Sequence, residues 1–163
     1  MCSSDLAALN PVRFCEVVNV VDAPELLAQL GGTFRKFHHP AGKLAVGVVP
    51  AGNRIIWYVQ VDLALADMRT WKRPAIAAWL HQQLAGWPAP LTELLVRTDF
   101  EQSHLWNVAD LDPLPNFHRG NLVLTGDAAH PVLSFTSQGA GAAIEDARSE
   151  EHTSELQSPC NLV

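Results

Sequence analysis

The sequence predicts an α+β fold in which an antiparallel sheet carries helices and is followed by one strand-loop-helix unit. Two observations support this prediction. Apolar segments between Thr33 and Asp62 are separated by Pro- and Gly-containing turns, which is typical of strands joined by hairpins. After Pro74 the apolar residues repeat at helical spacing, so that one stripe of a helix can face the sheet. An antiparallel sheet with helices laid on it is an α+β arrangement.

The first half of the chain supplies the strands of the predicted sheet. Residues 11–20 are rich in Val and Phe, which favours a strand. Asp22 then begins a D-x-x-E pattern that is expected to cap a short helix over Pro24–Leu30, which ends at Gly31 and Gly32. Three strands are predicted to follow as an antiparallel meander: Thr33–His39, Lys43–Val49 and Arg54–Asp62.

Side chains on the third meander strand alternate between the two faces of the sheet. Trp57 and Val59 share one face, and Tyr58 and Gln60 share the other. We expect the buried set to be core, and the sequence leaves open which set that is.

Two helices and two strands are predicted in the second half. The apolar stripe comprises Ile76, Trp79, Leu80 and Leu84. A short helix is expected around Leu91–Arg97, and a strand near His104–Val108. A Pro-containing connection then leads to residues 121–125, which are predicted to form a buried strand that runs into Gly126.

Composition excludes several classes of function. The chain has 163 residues, 48% of them hydrophobic, and a formal charge of -6, so it can bury a core and lacks the basic surface that nucleic acid requires. No apolar run approaches the roughly 20 residues of a transmembrane helix. Residues 1–20 do not resemble a secretory signal, and we therefore expect a cytoplasmic protein. No metal site is predicted, because cysteine and histidine residues lack suitable spacing.

The two ends of the chain differ from the remainder. Residues 148–158, RSEEHTSELQS, match the translation of a common short-read sequencing adapter residue by residue, and MCSSDL at residues 1–6 matches another adapter sequence. A polar disordered tail would be the alternative for the C-terminal stretch. We expect residues 1–6 and 148–163 to be adapter-like artefacts, so the interpretation rests on residues 7–147.

The most informative segment is NLVLTGDAAHPVLSFTSQGAGAAIEDA, residues 121–147. Gly126 permits a tight turn and close approach of a ligand, and the Asp127 carboxylate can accept hydrogen bonds from sugar-alcohol hydroxyls. A helix that opens near residues 138–141 would present free N–H groups and a partial positive charge. Its glycine and alanine residues leave room for a flat ring.

This segment resembles the second flavin-binding motif of the group A aromatic hydroxylases, the para-hydroxybenzoate hydroxylase-like FAD monooxygenases. The resemblance rests on GDAAH, QGAG and IEDA at their expected offsets and on the approach from Leu114 to His130. It implies that residues 7–120 form a partial substrate-binding-like sheet domain. Residues 121–147 would be the C-terminal part of an FAD-binding domain.

The resemblance also implies roles for individual residues. Gly126 and Asp127 would hold the ribityl and phosphate side of FAD, while Pro131, Gly139, Ala140 and Gly141 would lie near the isoalloxazine ring. Ser134 departs from the family, because many members have proline there. The family's N-terminal G-x-G-x-x-G has no match before Gly126, so we expect the chain alone to be inactive.

By the same resemblance, the parent enzyme would use FAD, NAD(P)H and dioxygen to hydroxylate a small aromatic or planar substrate. Two alternatives stay open: another FAD-dependent oxidoreductase of this fold, such as a halogenase or prenyl reductase, and a non-catalytic module that binds a hydrophobic ligand. No catalytic residue is assigned. His130 is expected to make a structural hydrogen bond, and Glu145 and Asp146 to be helix-surface or packing carboxylates.

Overall fold

A computed structural model describes residues 9–157, without the side chains of residue 135 and residues 150–157. The chain divides into two compact units. One unit is Arg13–Asn107, and the other combines the segments up to Val12 and from Val108 onward. Among the helices of residues 9–157, none combines the length and the hydropathy of a transmembrane span.

The Arg13–Asn107 unit is a five-stranded antiparallel sheet with three helices. Its strands are β2 Phe14–Asp22, β3 Arg35–His38, β4 Leu44–Ala51, β5 Arg54–Asp62 and β6 His104–Trp106. They lie in the order β3-β4-β5-β2-β6. The α-helices are α1 Pro24–Leu30, α2 Arg73–Gln83 and α3 Ala89–Arg97. The predicted meander is confirmed, because β3, β4 and β5 pair in sequence order.

The core of this unit lies on one face of the sheet. Trp57 and Val59 are buried, and they pack with Leu26 of α1, Leu80 of α2 and Leu94 of α3. The Trp57 indole also donates a hydrogen bond to Thr98 Oγ1 at 3.0 Å. The structure therefore decides the question that alternation left open: the face with Trp57 is core. We call the opposite face, with Tyr58 and Gln60, the open face.

The predicted cap on α1 is wrong. Ala23 precedes the helix, and no side chain makes a hydrogen bond to its N-terminus. Strand β2 runs as far as Asp22, where it pairs with Arg54, and this pairing holds Asp22 in the sheet instead of at the helix end. Glu25 forms an ion pair with Arg97 of α3.

The second unit contains two short two-stranded sheets and a long helix. Strands β1 (Leu9–Pro11) and β7 (Ala109–Leu111) form one antiparallel pair, and β8 (His118–Arg119) and β9 (Leu122–Val123) form the other. Helix α4 spans Gly139–Gln157. The expected buried strand at 121–125 is wrong: Leu122 is 66% exposed. In the described part of the chain, β9 pairs with β8 alone, which leaves its side chains uncovered.

Candidate functional site

A tight turn at Gly126 begins the candidate site. Gly126 is buried and has φ 57°, a left-handed conformation that glycine adopts without strain. A Cβ at this position would lie 3.2 Å from Cβ of Ala143. Glycine therefore serves two purposes here, because it makes the turn possible and lets the backbone pack closely against α4.

Asp146 of α4 ties this turn to the helix. Its Oδ2 accepts a hydrogen bond from the Gly126 backbone N–H at 2.7 Å and lies 2.7 Å from His130 Nε2. The Gly126 hydrogen bond, followed by the interaction with His130, lowers the pKa of Asp146 below its ordinary value. His130 makes the structural hydrogen bond that the sequence led us to expect. One carboxylate thus fixes both ends of the GDAAH turn.

The neighbouring carboxylate, Asp127, is exposed. Within the described residues it has no hydrogen-bond partner, so its oxygens can accept bonds from a ligand. A Cβ built at Gly139 would lie 3.4 Å from Asp127 Oδ1 and 3.4 Å from Val132 Cγ2. The missing side chain at Gly139 therefore keeps the space beside Asp127 clear.

Helix α4 opens next to that carboxylate. The chain turns through Ser137, which is left-handed with φ 56°, and the helix begins at Gly139. Ala142 N–H donates the first bond within this turn, to Gln138 O, so the N–H groups that precede it lack helical acceptors. A Cβ at Gly141 would meet nothing within 4 Å. The helix start is thus polar and sterically open.

These features fit the chemistry that FAD presents. An exposed acceptor suits the hydroxyls of a polyol, and uncovered N–H groups with a partial positive charge suit an electron-rich ring. Ser134 Oγ is buried and has no hydrogen-bond partner among the described residues. A proline at this position would carry no such group.

The structure brings some of the predicted site residues together. Gly126, Asp127 and Gly139 lie side by side, whereas Ala140 and Gly141 extend from them along the exposed start of α4. Pro131 is half-buried in the connecting loop. Sequence reasoning did not find the link from Asp146 to Gly126. The sequence does show a carboxylate, Asp146, in the helix that follows QGAG. Nothing in the sequence, however, indicates that this carboxylate binds the turn at Gly126.

Comparison with known proteins identifies the family of this chain. Residues 8–149 match the model of a family described as FAD binding domain. Among curated relatives, the 3-amino-4-hydroxybenzoate 2-monooxygenase of Streptomyces platensis is 40% identical over 81 residues, which are 50% of this chain and 20% of that protein. The FAD-dependent urate hydroxylase of Klebsiella pneumoniae is 29% identical over 138 residues, or 83% of this chain and 35% of that protein.

Solved structures give the same result. The Klebsiella pneumoniae HpxO structure with FAD and uric acid superimposes with a TM-score of 0.73 at 25% identity, over 86% of this chain and 35% of that one. The chain thus spans about a third or less of these relatives. The family resemblance seen in GDAAH, QGAG and IEDA and the predicted fold class are both confirmed. This chain belongs to the FAD binding domain family.

Proposed function

We propose that this chain is part of an FAD-dependent monooxygenase that hydroxylates an aromatic or other planar ring, with NAD(P)H as reductant and dioxygen as oxidant. The observation that carries this proposal is the exposed Asp127 carboxylate, which lies next to the open start of α4 at Gly139. FAD, when bound, supplies the redox chemistry that connects NAD(P)H, dioxygen and the substrate ring.

Each residue of the site would have a binding or positioning role. Asp127 would accept hydrogen bonds from FAD hydroxyls, while the N–H groups at Gly139, Ala140 and Gly141 would stabilise negative charge on the flavin ring. Asp146 would act indirectly, because it holds the Gly126 turn in place. Pro131 would line the ring side of the same loop.

The named relatives support this class of reaction. One is a hydroxybenzoate monooxygenase and another is a urate hydroxylase, and both names specify small planar rings. No observation in the structure favours a halogenase, a prenyl reductase or a non-catalytic module over this proposal.

The direct test is an FAD titration of the chain, followed by flavin fluorescence. The unaltered chain should bind FAD, and Asp127→Ala should weaken binding by about tenfold or more, since hydrogen bonds to a charged group contribute about 1.5–3 kcal/mol. Glu145→Gln, which removes an exposed carboxylate from α4, is the matched control and should bind normally. Equal binding by Asp127→Ala and the unaltered chain would contradict the proposal.

We also propose that residues 1–6 and 148–163 are adapter-derived and that residues 7–120 and 121–147 belong to the two domains named above. Amplification outward from the coding region of residues 7–147 in the source DNA tests this. Flanks that encode an upstream G-x-G-x-x-G and a different continuation after Ala147 are the expected result. Source DNA that encodes RSEEHTSELQS at this point would refute it.

A further inference from the structure

Strand β2 has a free edge over its last four residues. On one side it pairs with β5 along its whole length, from Phe14 to Asp22. On the other side it pairs with β6 only from Glu16 to Val18, because β6 begins at His104. No strand within residues 9–157 pairs with residues 19–22 on this second side. Since an edge strand presents unpaired N–H and C=O groups, this stretch can accept a further strand.

A cavity of about 470 Å³ lies along this edge. Residues 18–22 of β2 line it on one side, and the residues that line it opposite them are Arg97, Asp99, Gln102, Ser103 and His104. All of these residues belong to the same compact unit, and none has a role in the proposed function. The free edge of β2 therefore faces open space that is wide enough to admit a ligand or another chain.

Asn19 lines this cavity with a hydrogen-bond donor that the protein leaves unsatisfied. The residue is only 4% exposed. The Ser103 hydroxyl donates a hydrogen bond to Asn19 Oδ1, whereas Asn19 Nδ2 has no hydrogen-bond partner among the described residues. A buried donor that lacks an acceptor is unfavourable. A carbonyl group placed in the cavity beside Asn19 would supply the missing acceptor.

The rim of the cavity is acidic. Asp22 and Asp99 both line it, and both are exposed. The Arg97 guanidinium lies there as well, but its ion pairs with Glu25 and Glu93 offset its positive charge. Carboxylates therefore predominate around the cavity. Because complementary charge favours association, the rim suits a partner with a positively charged side chain.

We propose that the free edge of β2 is a docking site for an extended, basic segment of another polypeptide, which adds to the sheet beside residues 19–22. The backbone of the segment pairs with that of β2, in the manner of strand addition. One of its carbonyl groups accepts a hydrogen bond from Asn19 Nδ2, and a lysine or arginine side chain lies against Asp22 and Asp99. This inference goes beyond the proposed function, because it uses no residue of the candidate flavin site.

An extended peptide matches these features better than the other kinds of partner. Its backbone carries N–H and C=O groups at the spacing of a strand, so it can pair with several groups of the edge at once. A small cation would meet the carboxylates but would leave Asn19 Nδ2 without an acceptor. A helix satisfies its own backbone groups and would leave the edge unpaired.

The test uses the acetylated and amidated peptide Val-Thr-Lys-Val-Thr and its counterpart with glutamate in place of lysine. Each peptide is titrated into the isotope-labelled chain, and amide shifts are followed by NMR. The largest shifts with the lysine peptide should include the Asn19 side-chain amide and the backbone amides of residues 19–22. The lysine peptide should bind about fivefold more tightly than the glutamate peptide, as expected for a contact between exposed charges.

Three variants of the chain make the result specific. Asn19→Leu removes the unsatisfied donor and should weaken binding of the lysine peptide by about fivefold. Asp99→Asn removes one charge of the rim and should bring the affinities of the two peptides closer together, which provides a second test if Asn19→Leu fails to fold. Glu101→Gln is the matched control, because Glu101 is exposed nearby but does not line the cavity. It should bind both peptides as the unaltered chain does.

Several outcomes would overturn this inference. No binding of the lysine peptide, equal affinity for the two peptides, or shifts confined to other parts of the chain would each do so. An unchanged preference in a folded Asp99→Asn variant would remove the role of the acidic rim. Slow amide exchange at residues 19–22 in the full-length protein without peptide would show that the protein's own chain covers the edge, and would also refute the docking site.

Discussion

Each of the two units of this chain is stabilised internally by a different kind of interaction. In Arg13–Asn107, one cluster of buried apolar side chains connects the sheet to all three helices. In the described residues from Val108 onward, Ala129 is the one buried hydrophobic residue, and Leu122, Val123 and Ile144 are exposed. Polar contacts dominate there instead, chiefly those of Asp146 with Gly126 and His130.

This difference separates the scaffold from the candidate site. Apolar burial stabilises a unit cooperatively and tolerates the loss of a surface contact. A turn held by one carboxylate depends on that single group, and such regions open at lower free energy than a packed core. The predictions below test this contrast from its largest expected effect to its smallest.

Truncation of the core should have the largest effect. Trp57 is 1% exposed and donates a hydrogen bond to Thr98, so Trp57→Ala should lower the free energy of unfolding by about 3–5 kcal/mol. Trp106→Ala, on the open face and 49% exposed, is the matched control and should cost less than about 1 kcal/mol. Urea denaturation measures both. Similar losses for the two tryptophans would contradict the assignment of faces.

A steric clash introduced on the open face should have the second-largest effect on stability. In Gly47→Ala the new methyl group would overlap the Tyr58 ring, and the expected cost is about 1–3 kcal/mol. The same change in a Tyr58→Ala background should cost much less, because the two residues are coupled by direct contact. Gly141→Ala introduces a methyl group into open space and should leave stability nearly unchanged. Additive effects at positions 47 and 58 would show that the ring does not lie over Gly47.

The turn should respond locally to loss of its carboxylate. Asp146→Asn weakens the acceptor for the Gly126 N–H, and amide hydrogen exchange at Gly126 should accelerate by about tenfold. Exchange within β2 and β5 should be unaffected. Glu145→Gln, one residue away and exposed, serves as control. Equal acceleration in both variants, or none in Asp146→Asn, would argue against the link between turn and helix.

The smallest effect should be the pH dependence of the same turn. The pKa of Asp146 is lowered in the folded chain, so its stabilising contribution is present above the ordinary carboxyl pKa and is lost as pH falls through the lowered one. The chemical shift of the Gly126 amide, followed by NMR, should show a transition in that acidic range. Asp146→Asn should lack the transition, and its persistence there would assign it to another group.

The local sequence pattern was sufficient to predict some secondary-structure elements but not others. Pro24–Leu30 and Arg54–Asp62 match the structure in full, because proline, glycine and turn residues mark their ends. The pairing of Leu9–Pro11 with Ala109–Leu111 was not predicted, since it joins residues about a hundred positions apart. The Asp22 cap failed for a related reason, because pairing with Arg54 extends the strand through that residue.

The sequence by itself determined the family, because GDAAH and QGAG combine a turn, a carboxylate and an open helix start within one short segment. From the same segment it predicted the residues of a candidate flavin site. Only the tertiary structure decided which face of β5 is core, since strict alternation is symmetric until helices cover one side. It alone joined Asp146 to Gly126, and Glu16 to Gln60. Such contacts depend on folding that brings distant positions together, which local spacing does not encode.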